Sequence, residues 1–197
     1  MREMIQMVVV LTILSVVSGG LLASIRNGTK EQIEYQQLVF VKGPAIRAIL
    51  EGSANDPITD RFKLKDGETE RSFFAGVFDG KANTVTFESS GKGYGGDIGV
   101  MIGVNLDDDK IVGVGVTTHS ETPGIGARAK TDAGFSSQFK GMPLKDTFKV
   151  KTDGGQVDAL SGATITSRGV SAALTDASKI YESLKPQIAD KLKSFSK

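Results

Sequence analysis

The sequence contains no cysteine, no tryptophan and a single histidine among its 197 residues. Without cysteine, the chain cannot form disulfides, iron–sulfur clusters or haem thioether links, and it cannot use thiol catalysis. One histidine argues against a zinc site or a haem held by two histidines. The formal net charge is +1, and no basic stripe with interleaved aromatic residues is present, which argues against nucleic-acid binding. Any redox chemistry would therefore need an organic cofactor.

The amino terminus carries a long apolar run. Residues 4–25 contain no formal charge, and as a helix they would extend roughly 33 Å, enough to cross a bilayer. A cleaved signal peptide is the alternative, with Ser18-Gly19-Gly20 as its small-residue exit. Apolar residues resume at Leu21-Leu22 and no A-x-A site follows, so the sequence favours a retained anchor. Cationic residues flank both ends and leave the orientation open: Arg2, Arg26 and Lys30.

Hydrophobic periodicity predicts the remaining elements. Residues 27–52 are predicted to form a helix pair interrupted at Gly43-Pro44, and residues 55–69 to be a turn-rich connection. The predicted strands are 73–78, 84–88, 98–106, 111–118 and 147–151, and the predicted helices are 131–140 and 167–184. The tail after Pro186 is expected to be an amphipathic helix or a frayed end. The three aspartates at 107–109 could suggest calcium, but the turn offers too few oxygen ligands, so a solvated hairpin tip is predicted.

The most informative motif reads Asp158-Ala159-Leu160-Ser161-Gly162-Ala163-Thr164 and is followed at once by helical periodicity. Thr166 or Ser167 is expected to act as the N-cap, which would direct the positive end of the helix toward the S-G-A-T loop. A phosphate fits such a position. Gly162 and Ala163 would allow close approach to the backbone, and Arg168 is near enough in sequence to pair with a phosphodiester. From spacing alone, a simple turn and capping sequence is the alternative.

Two further loops are rich in glycine. Residues 91–98 read G-K-G-Y-G-G-D-I and precede one predicted hairpin strand, and residues 119–126 read H-S-E-T-P-G-I-G and follow the other. Adjacent ends of an antiparallel hairpin are neighbours, so the two loops are expected to form one cleft. Neither has the spacing of a Rossmann fingerprint or a P-loop. A tight structural turn remains the alternative for the second loop, and His119 is given no catalytic role because a lone histidine at a strand end is more often structural.

In this order, the three motifs resemble the FMN-binding domain of the G subunit of Rnf complexes and of the C subunit of sodium-pumping NADH:quinone reductases. The resemblance implies one FMN per chain, joined through its phosphate to the Thr164 hydroxyl by a flavin transferase that recognises Asp158. It implies no catalytic residue and no metal ligand in the chain itself. Ile125 stands where leucine is commoner, a volume-conserving change. The remaining cofactor contacts are expected at Ser161, Gly162, Ala163, Thr166, Ser167, Glu121, Thr122 and Gly124.

The expected fold class is α+β, with a single N-terminal transmembrane helix followed by an FMN-binding domain whose mostly antiparallel sheet is packed by helices. The expected divisions are an anchor (1–30), a membrane-proximal segment (31–70) and the FMN-binding domain (71–197). The resemblance implies an electron-transfer subunit of an ion-translocating ferredoxin:NAD⁺ oxidoreductase in the inner membrane. Its soluble domain would lie outside the cytoplasm, and its partners would be the other Rnf subunits. The alternatives are the C subunit of a sodium-translocating quinone reductase and a tethered phospholigand-binding or assembly module without redox function.

Overall fold

The apolar N-terminal run lies within a single long helix. In the computed structural model, which describes residues 1–145 and 147–195, helix α1 spans Arg2–Gln36 and every one of its residues is exposed. It is long and apolar enough to cross a membrane. The chain divides into two compact units, Met1–Leu38 and Val39–Lys197. The first unit therefore consists almost entirely of helix α1.

The predicted interruption at Gly43-Pro44 takes the form of a change of helix type. A π-helical segment, Gln37–Lys42, precedes helix α2, Gly43–Ile49, in which proline occupies the first turn. Proline has no backbone N–H and cannot donate the bond to the carbonyl four residues earlier, so the regular α-helical hydrogen-bonding pattern is interrupted at Pro44. Of the apolar stripe on this segment, Ile46 and Leu50 are buried, whereas Ile33 is 46% exposed.

Five antiparallel strands form one sheet in sequence order. They are β1 (Arg61–Asp66), β2 (Thr69–Phe78), β3 (Lys81–Lys92), β4 (Asp97–Asn105) and β5 (Lys110–Thr118). The hairpin of β4 and β5 is confirmed, as is the turn between β2 and β3, where Asp79 and Gly80 both have positive φ. The fold class is confirmed as α+β with a mostly antiparallel sheet.

Strand β1 lies in the segment predicted to be turn-rich, so that prediction is wrong. Its sequence, R-F-K-L-K-D, has only two apolar residues in alternation, which is a weak strand signal. Contacts to β2 stabilise it: Phe62 stacks on Phe73 with ring centroids 5.6 Å apart, and Arg71 pairs with Asp66 at 2.9 Å. Edge strands with alternating charges are common because they resist edge-to-edge association.

One long helix covers one face of the sheet. Helix α5 spans Thr164–Leu192, and the apolar positions predicted for it are all buried: Val170, Leu174, Ala177, Tyr181 and Leu184. They belong to the same core cluster as inward residues of the sheet, including Phe73, Phe87 and Ile102. Helix α5 also continues through Pro186, where the tail was predicted to be helical or frayed, and a 3₁₀ turn, Lys193–Phe195, follows. The other face of the sheet receives α2.

The connection between β5 and α5 holds two short helices, α3 (Arg128–Thr131) and α4 (Ala133–Ser137), where one helix over 131–140 was predicted. Asp132 ends the first and caps the second, since its side chain accepts from Phe135 N at 3.2 Å. The predicted strand at 147–151 is wrong. Val150 makes only an isolated parallel bridge to Val157, and a 3₁₀ turn begins at Lys151, because the chain folds back on itself there.

The β4–β5 hairpin tip is not simply solvated, which corrects the sequence prediction. Asp109 has a positive φ of 56° and accepts hydrogen bonds from Tyr181 Oη at 2.7 Å and Lys185 Nζ at 2.6 Å. Both partners belong to α5. This Asp109 contact therefore fastens the tip of the hairpin to the far half of the helix, away from the end where the helix begins.

Candidate functional site

The S-G-A-T loop ends where α5 begins, so Thr164 is the first helical residue. Ala163 is the N-cap, and the first intrahelical bond runs from Ser167 N to Ala163 O at 3.0 Å. The backbone N–H groups of the first turn have no acceptor within the helix and point out of its positive end. Gly162 has a φ of +77°, a left-handed conformation that glycine adopts without strain. The loop thus places Thr164 at the N-terminus of α5, where a bound anion is stabilised.

The prediction that Thr166 or Ser167 is the N-cap is wrong. Both residues lie inside the first turn and are buried. Ser167 Oγ donates to Ala163 O and accepts from Leu160 N, each at 3.0 Å, and Thr166 Oγ1 donates to Glu121 Oε2. Three hydroxyl residues stand within four positions, and capping propensity alone cannot tell which of them begins the helix. In this chain, hydrogen bonds to residues outside the helix determine where the helix begins.

The hydroxyl of Thr164 differs from these two. Thr164 is only partly buried, and across residues 1–145 and 147–195 its hydroxyl has no hydrogen-bond partner. Ser161 and Gly162, just before it, are exposed. The one hydroxyl of this helix start that is both accessible and uncommitted therefore belongs to the threonine that ends the S-G-A-T motif.

Glu121 brings the three sequence motifs together. The residue is 6% exposed, and its carboxylate accepts from Gly95 N at 2.8 Å through Oε1 and from the Thr166 hydroxyl through Oε2. Its own N–H donates to Nδ1 of His119 at 3.3 Å. The loop before β4, the loop after β5 and the first turn of α5 therefore meet at one carboxylate. A direct flavin contact by Glu121 would require this network to open.

Two glycines leave room for that carboxylate. A Cβ added at Gly93 would lie 2.5 Å from Glu121 Oε1, and one added at Gly126 would lie 2.7 Å from Glu121 Oε2. Real side chains do not approach oxygen this closely, so both positions require glycine while Glu121 occupies its site. Glycines of both glycine-rich loops thus pack against a side chain of the protein itself.

Exposed apolar side chains lie in or next to the three motifs. Tyr94 and Ile125 belong to the two glycine-rich loops and are 73% and 48% exposed, and Ile165, which follows the S-G-A-T motif, is 46% exposed. Among the described residues from 43 onward, these are the large apolar side chains with such exposure. Cγ2 of Ile125 would be 3.9 Å from a Cβ at Gly162, next to the S-G-A-T loop. Thr122 and Gly124, predicted as cofactor contacts, are exposed in the same loop. A flat ring could rest against this apolar rim.

The charged residues of the motif are paired within the protein. Arg168 binds Asp153 through two nitrogens at 2.6 and 2.7 Å, and these hydrogen bonds hold the pKa of the Asp153 carboxyl below its usual value. The expected pairing of Arg168 with a phosphodiester on Thr164 stays a prediction. Asp158 pairs with Lys151 Nζ at 2.7 Å and remains largely exposed.

A shallow pocket lies beside the motif and was not predicted from the sequence. Its volume is about 300 Å³. The Gln138 amide forms part of its wall and holds the backbone of Asp158 from both sides, accepting from Asp158 N at 2.7 Å and donating to Asp158 O at 3.2 Å. Nothing in the sequence signals that pairing, because the two residues are 20 positions apart. The pocket is lined by Arg128, Asp132, Phe135, Gln138, Asp158 and Ser161, among others.

The chain is similar to a known domain family and to several known proteins. The FMN-binding domain family matches residues 93–179, which include the second glycine-rich loop, the S-G-A-T motif and all but the first two residues of the first glycine-rich loop. The chain is 36% identical over 179 residues to the G subunit of the ion-translocating oxidoreductase complex of Methanosarcina acetivorans, covering 89% of this chain and 93% of the relative. It is 30% identical over 169 residues to the G subunit of the proton-translocating ferredoxin:NAD(+) oxidoreductase complex of Clostridium ljungdahlii, covering 85% of each.

A solved structure shares the fold. The crystal structure of the C subunit of the Na(+)-translocating NADH-quinone reductase from Parabacteroides distasonis superposes with a TM-score of 0.51 at 32% identity. The similarity covers 58% of this chain and 62% of that one. The matched domain supports FMN as the cofactor. The residues at the start of α5 fit its phosphate, since they offer unpaired N–H groups, an uncommitted hydroxyl and an accessible glycine.

Proposed function

Because the chain belongs to the family of G subunits of ion-translocating oxidoreductase complexes, we propose that it relays electrons within such a membrane complex through FMN joined to Thr164. The observation that carries the proposal is the Thr164 hydroxyl at the first position of α5, which is accessible and has no hydrogen-bond partner within residues 1–145 and 147–195. FMN supplies the electron-transfer chemistry. The protein supplies the attachment point, the apolar rim and the membrane anchor.

Each part of the site has a distinct task. The first-turn N–H groups of α5 and the positive end of its dipole stabilise the single negative charge of a phosphodiester on Thr164. Gly162 leaves the approach to that hydroxyl open. Tyr94, Ile125 and Ile165 offer apolar surface to the isoalloxazine ring. The exposed Asp158 is available to a flavin transferase during attachment, because its side chain faces solvent even while paired with Lys151.

The membrane anchor and the relatives indicate the wider setting. Helix α1 would hold the domain at the membrane, where the other subunits of the complex would supply and accept electrons. The relative from C. ljungdahlii is a subunit of a ferredoxin:NAD⁺ oxidoreductase, so we propose ferredoxin:NAD⁺ oxidoreduction as the activity of the whole complex. We further propose that the complex lies in the inner membrane with the domain on its extracytoplasmic side. Covalent attachment would retain FMN there.

A second candidate is the C subunit of a sodium-translocating quinone reductase, because the superposed crystal structure is of that kind. The G subunits from M. acetivorans and C. ljungdahlii are matched over 93% and 85% of their own length, and the crystal structure is covered over 62%. The fuller match favours the assignment as a G subunit. Co-purification with the remaining subunits from the native membrane would separate the two assignments.

The mass of the native protein tests the proposal. We expect the full-length chain, purified from a host with an active flavin transferase, to carry the mass of one FMN less one water on the peptide that contains Thr164. A Thr164→Ala variant should lose this mass, whereas a Thr152→Ala control should keep it, since Thr152 is an exposed threonine that lies outside the S-G-A-T loop. An unmodified Thr164 in that host would refute the proposal and leave a tethered phospholigand-binding or assembly module as the better account.

A further inference from the structure

We propose that Glu121 is a positioning residue that holds the Thr164 hydroxyl in the orientation from which it accepts FMN. This inference rests on the proposed attachment at Thr164 and adds a residue 43 positions earlier in the chain. Glu121 does not touch Thr164. It acts on the first turn of α5, through Thr166, and on the neighbouring loop, through Gly95.

The bond between Glu121 and Thr166 fixes the helix start. Thr166 lies two residues after Thr164 in the same helical turn, so a restraint on its side chain also restrains rotation of the turn that carries the acceptor hydroxyl. The Ser167 hydroxyl adds a second restraint by bridging Leu160 N and Ala163 O. The terminal turns of helices otherwise fray. Thr164 is thereby held in place although its hydroxyl forms no hydrogen bond with any residue that the structure describes.

The carboxylate in this position is buried without a counter-charge. Among the described residues, no lysine, arginine or histidine forms an ion pair with Glu121. Burying a charge is costly unless it is hydrogen-bonded. The donors that compensate it are Gly95 N and the Thr166 hydroxyl, and bonds to a charged acceptor are stronger than neutral ones. The two hydrogen bonds to this buried carboxylate therefore connect the two loops to the first turn of the helix.

The attachment step is sensitive to this geometry. The Thr164 oxygen attacks the FMN phosphorus of FAD, the bond from that phosphorus to the bridging oxygen of the AMP half breaks, AMP leaves, and the hydroxyl proton is released. No electrons are exchanged. Transfer requires the hydroxyl in line with the leaving oxygen, and a misplacement of about 1 Å can cost about a hundredfold in rate. A loosened helix start would lower the transfer rate without abolishing recognition of the exposed S-G-A-T loop.

The test measures FMN transfer to the full-length chain in detergent. The chain is produced without flavin transferase and then supplied with purified transferase, Mg²⁺ and FAD, and the added mass is followed over time. We expect Glu121→Ala and Thr166→Val to lower kcat by about tenfold or more with little change in the KM for the acceptor chain. Thr166→Ser keeps the hydroxyl and should remain within about threefold of wild type. Glu121→Gln should do the same, since its amide oxygen can still accept from Gly95 N while its NH2 group donates to the Thr166 hydroxyl, which then acts as the acceptor.

Asp109→Asn is the matched control, because Asp109 also fastens α5 through a carboxylate but does so at the opposite end of the β4–β5 hairpin. It should lower the melting temperature and leave the transfer rate unchanged. If Asp109→Asn and Glu121→Ala lowered the melting temperature equally and also slowed FMN transfer equally, Glu121 would have only a structural role. That result would overturn the inference. Wild-type kcat in Glu121→Ala and Thr166→Val would also overturn it. A wild-type chain that accepts no FMN from an active transferase would refute the attachment itself.

Amide hydrogen exchange gives an independent measure on the chain without flavin. Glu121→Ala should speed exchange at residues 167–169, the first amides of α5 that are bonded within the helix, while Asp109→Asn should leave these amides protected. Unchanged protection at residues 167–169 in Glu121→Ala would contradict the proposed restraint even if the transfer rate fell.

Discussion

At the scale of single residues, Asp109 has the clearest electrostatic consequence. Burial alone would raise the pKa of its carboxyl. The hydrogen bonds from Lys185 and Tyr181 and the charges of Lys185 and Lys145 outweigh that effect, and the pKa lies below its ordinary value. A carboxyl with a lowered folded-state pKa stabilises the fold above its unfolded pKa, about 3.9, and loses this contribution as the pH falls through the folded pKa.

Asp109→Asn tests this contribution. Asparagine also tolerates the positive φ of 56°, so the change removes the charge and keeps the backbone preference. Because the pair of Asp109 and Lys185 is more than a third exposed, we expect a loss of only about 1 kcal/mol at pH 7. That loss corresponds to about 2–4 °C in melting temperature.

The pH dependence provides the control for Asp109. Thermal unfolding of wild type and Asp109→Asn in detergent should differ by a constant amount from pH 7 to about pH 5, and the difference should shrink below about pH 4 as the wild-type carboxyl is protonated. A difference that grew with acidity would contradict the lowered pKa.

Residue types predicted part of the site. Thr164 and Gly162 could be singled out because an S-G-A-T loop ahead of helical periodicity offers a hydroxyl to a phosphate, whereas Asp158 was singled out only through the family resemblance. The partners of Glu121 could not be predicted, since its bonds to Gly95 and Thr166 cross 26 and 45 positions of sequence. Long-range hydrogen bonds of this kind leave no local pattern. The same holds for Gln138, whose amide holds the backbone of Asp158.

At the scale of elements, the packing of α2 depends on small residues in the sheet. Gly103 and Gly113 face each other across β4 and β5. A Cβ at Gly103 would overlap Cγ2 of Ile49 and lie 2.8 Å from Cγ2 of Val112, whereas a Cβ at Gly113 would lie 3.3 Å from Cγ1 of Ile49. Helix α2 therefore rests directly on the backbone of the sheet at Gly103.

Gly103→Ala should weaken this contact. Overpacking of this kind costs about 1–3 kcal/mol, only partly offset by the lower entropy of the unfolded chain. Gly113→Ala is the matched control and should be close to neutral. Chemical denaturation of the full chain in detergent would measure both. Adding Ile49→Ala should recover part of the loss in Gly103→Ala, and the absence of such recovery would show that the strain lies elsewhere.

Elements with strong local patterns were predictable and those held by tertiary contacts were not. The β4–β5 hairpin has two β-branched runs around a polar turn, and the α5 stripe has regular apolar spacing, so both followed from sequence. Strand β1 was missed because only Phe62 and Leu64 carry its apolar pattern. The strand predicted at 147–151 fails because the chain turns back at Lys151, and Val150 then meets Val157 instead of a sheet strand.

At the scale of the whole molecule, the chain separates into a helical unit and a folded domain. All of the strands, helix α5 and the residues of the core cluster fall between residues 39 and 197. The apolar side chains of residues 4–25 are exposed, which is stable in lipid and unfavourable in water. The domain should not need the anchor in order to fold.

Removal of residues 1–38 tests this separation. In detergent phase partitioning, we expect the full chain in the detergent phase and the remaining chain, 39–197, in the aqueous phase with a cooperative unfolding transition. Deletion of residues 1–50 is the control, because it also removes α2 and uncovers the face of the sheet at Gly103 and Gly113. It should lower the melting temperature. Aggregation of the 39–197 chain without a folded core would contradict the prediction.

The two ends of the β4–β5 hairpin make separate contacts, and this separation has a consequence for protein engineering. The loops at one end converge on Glu121, while Asp109 fastens the other end to α5, and strands of nine residues place the two roughly 30 Å apart. Substitutions that far apart usually add independently. The loops could therefore be redesigned to bind a different group. Stabilising substitutions at the distant hairpin tip would then compensate for the stability lost in the loops.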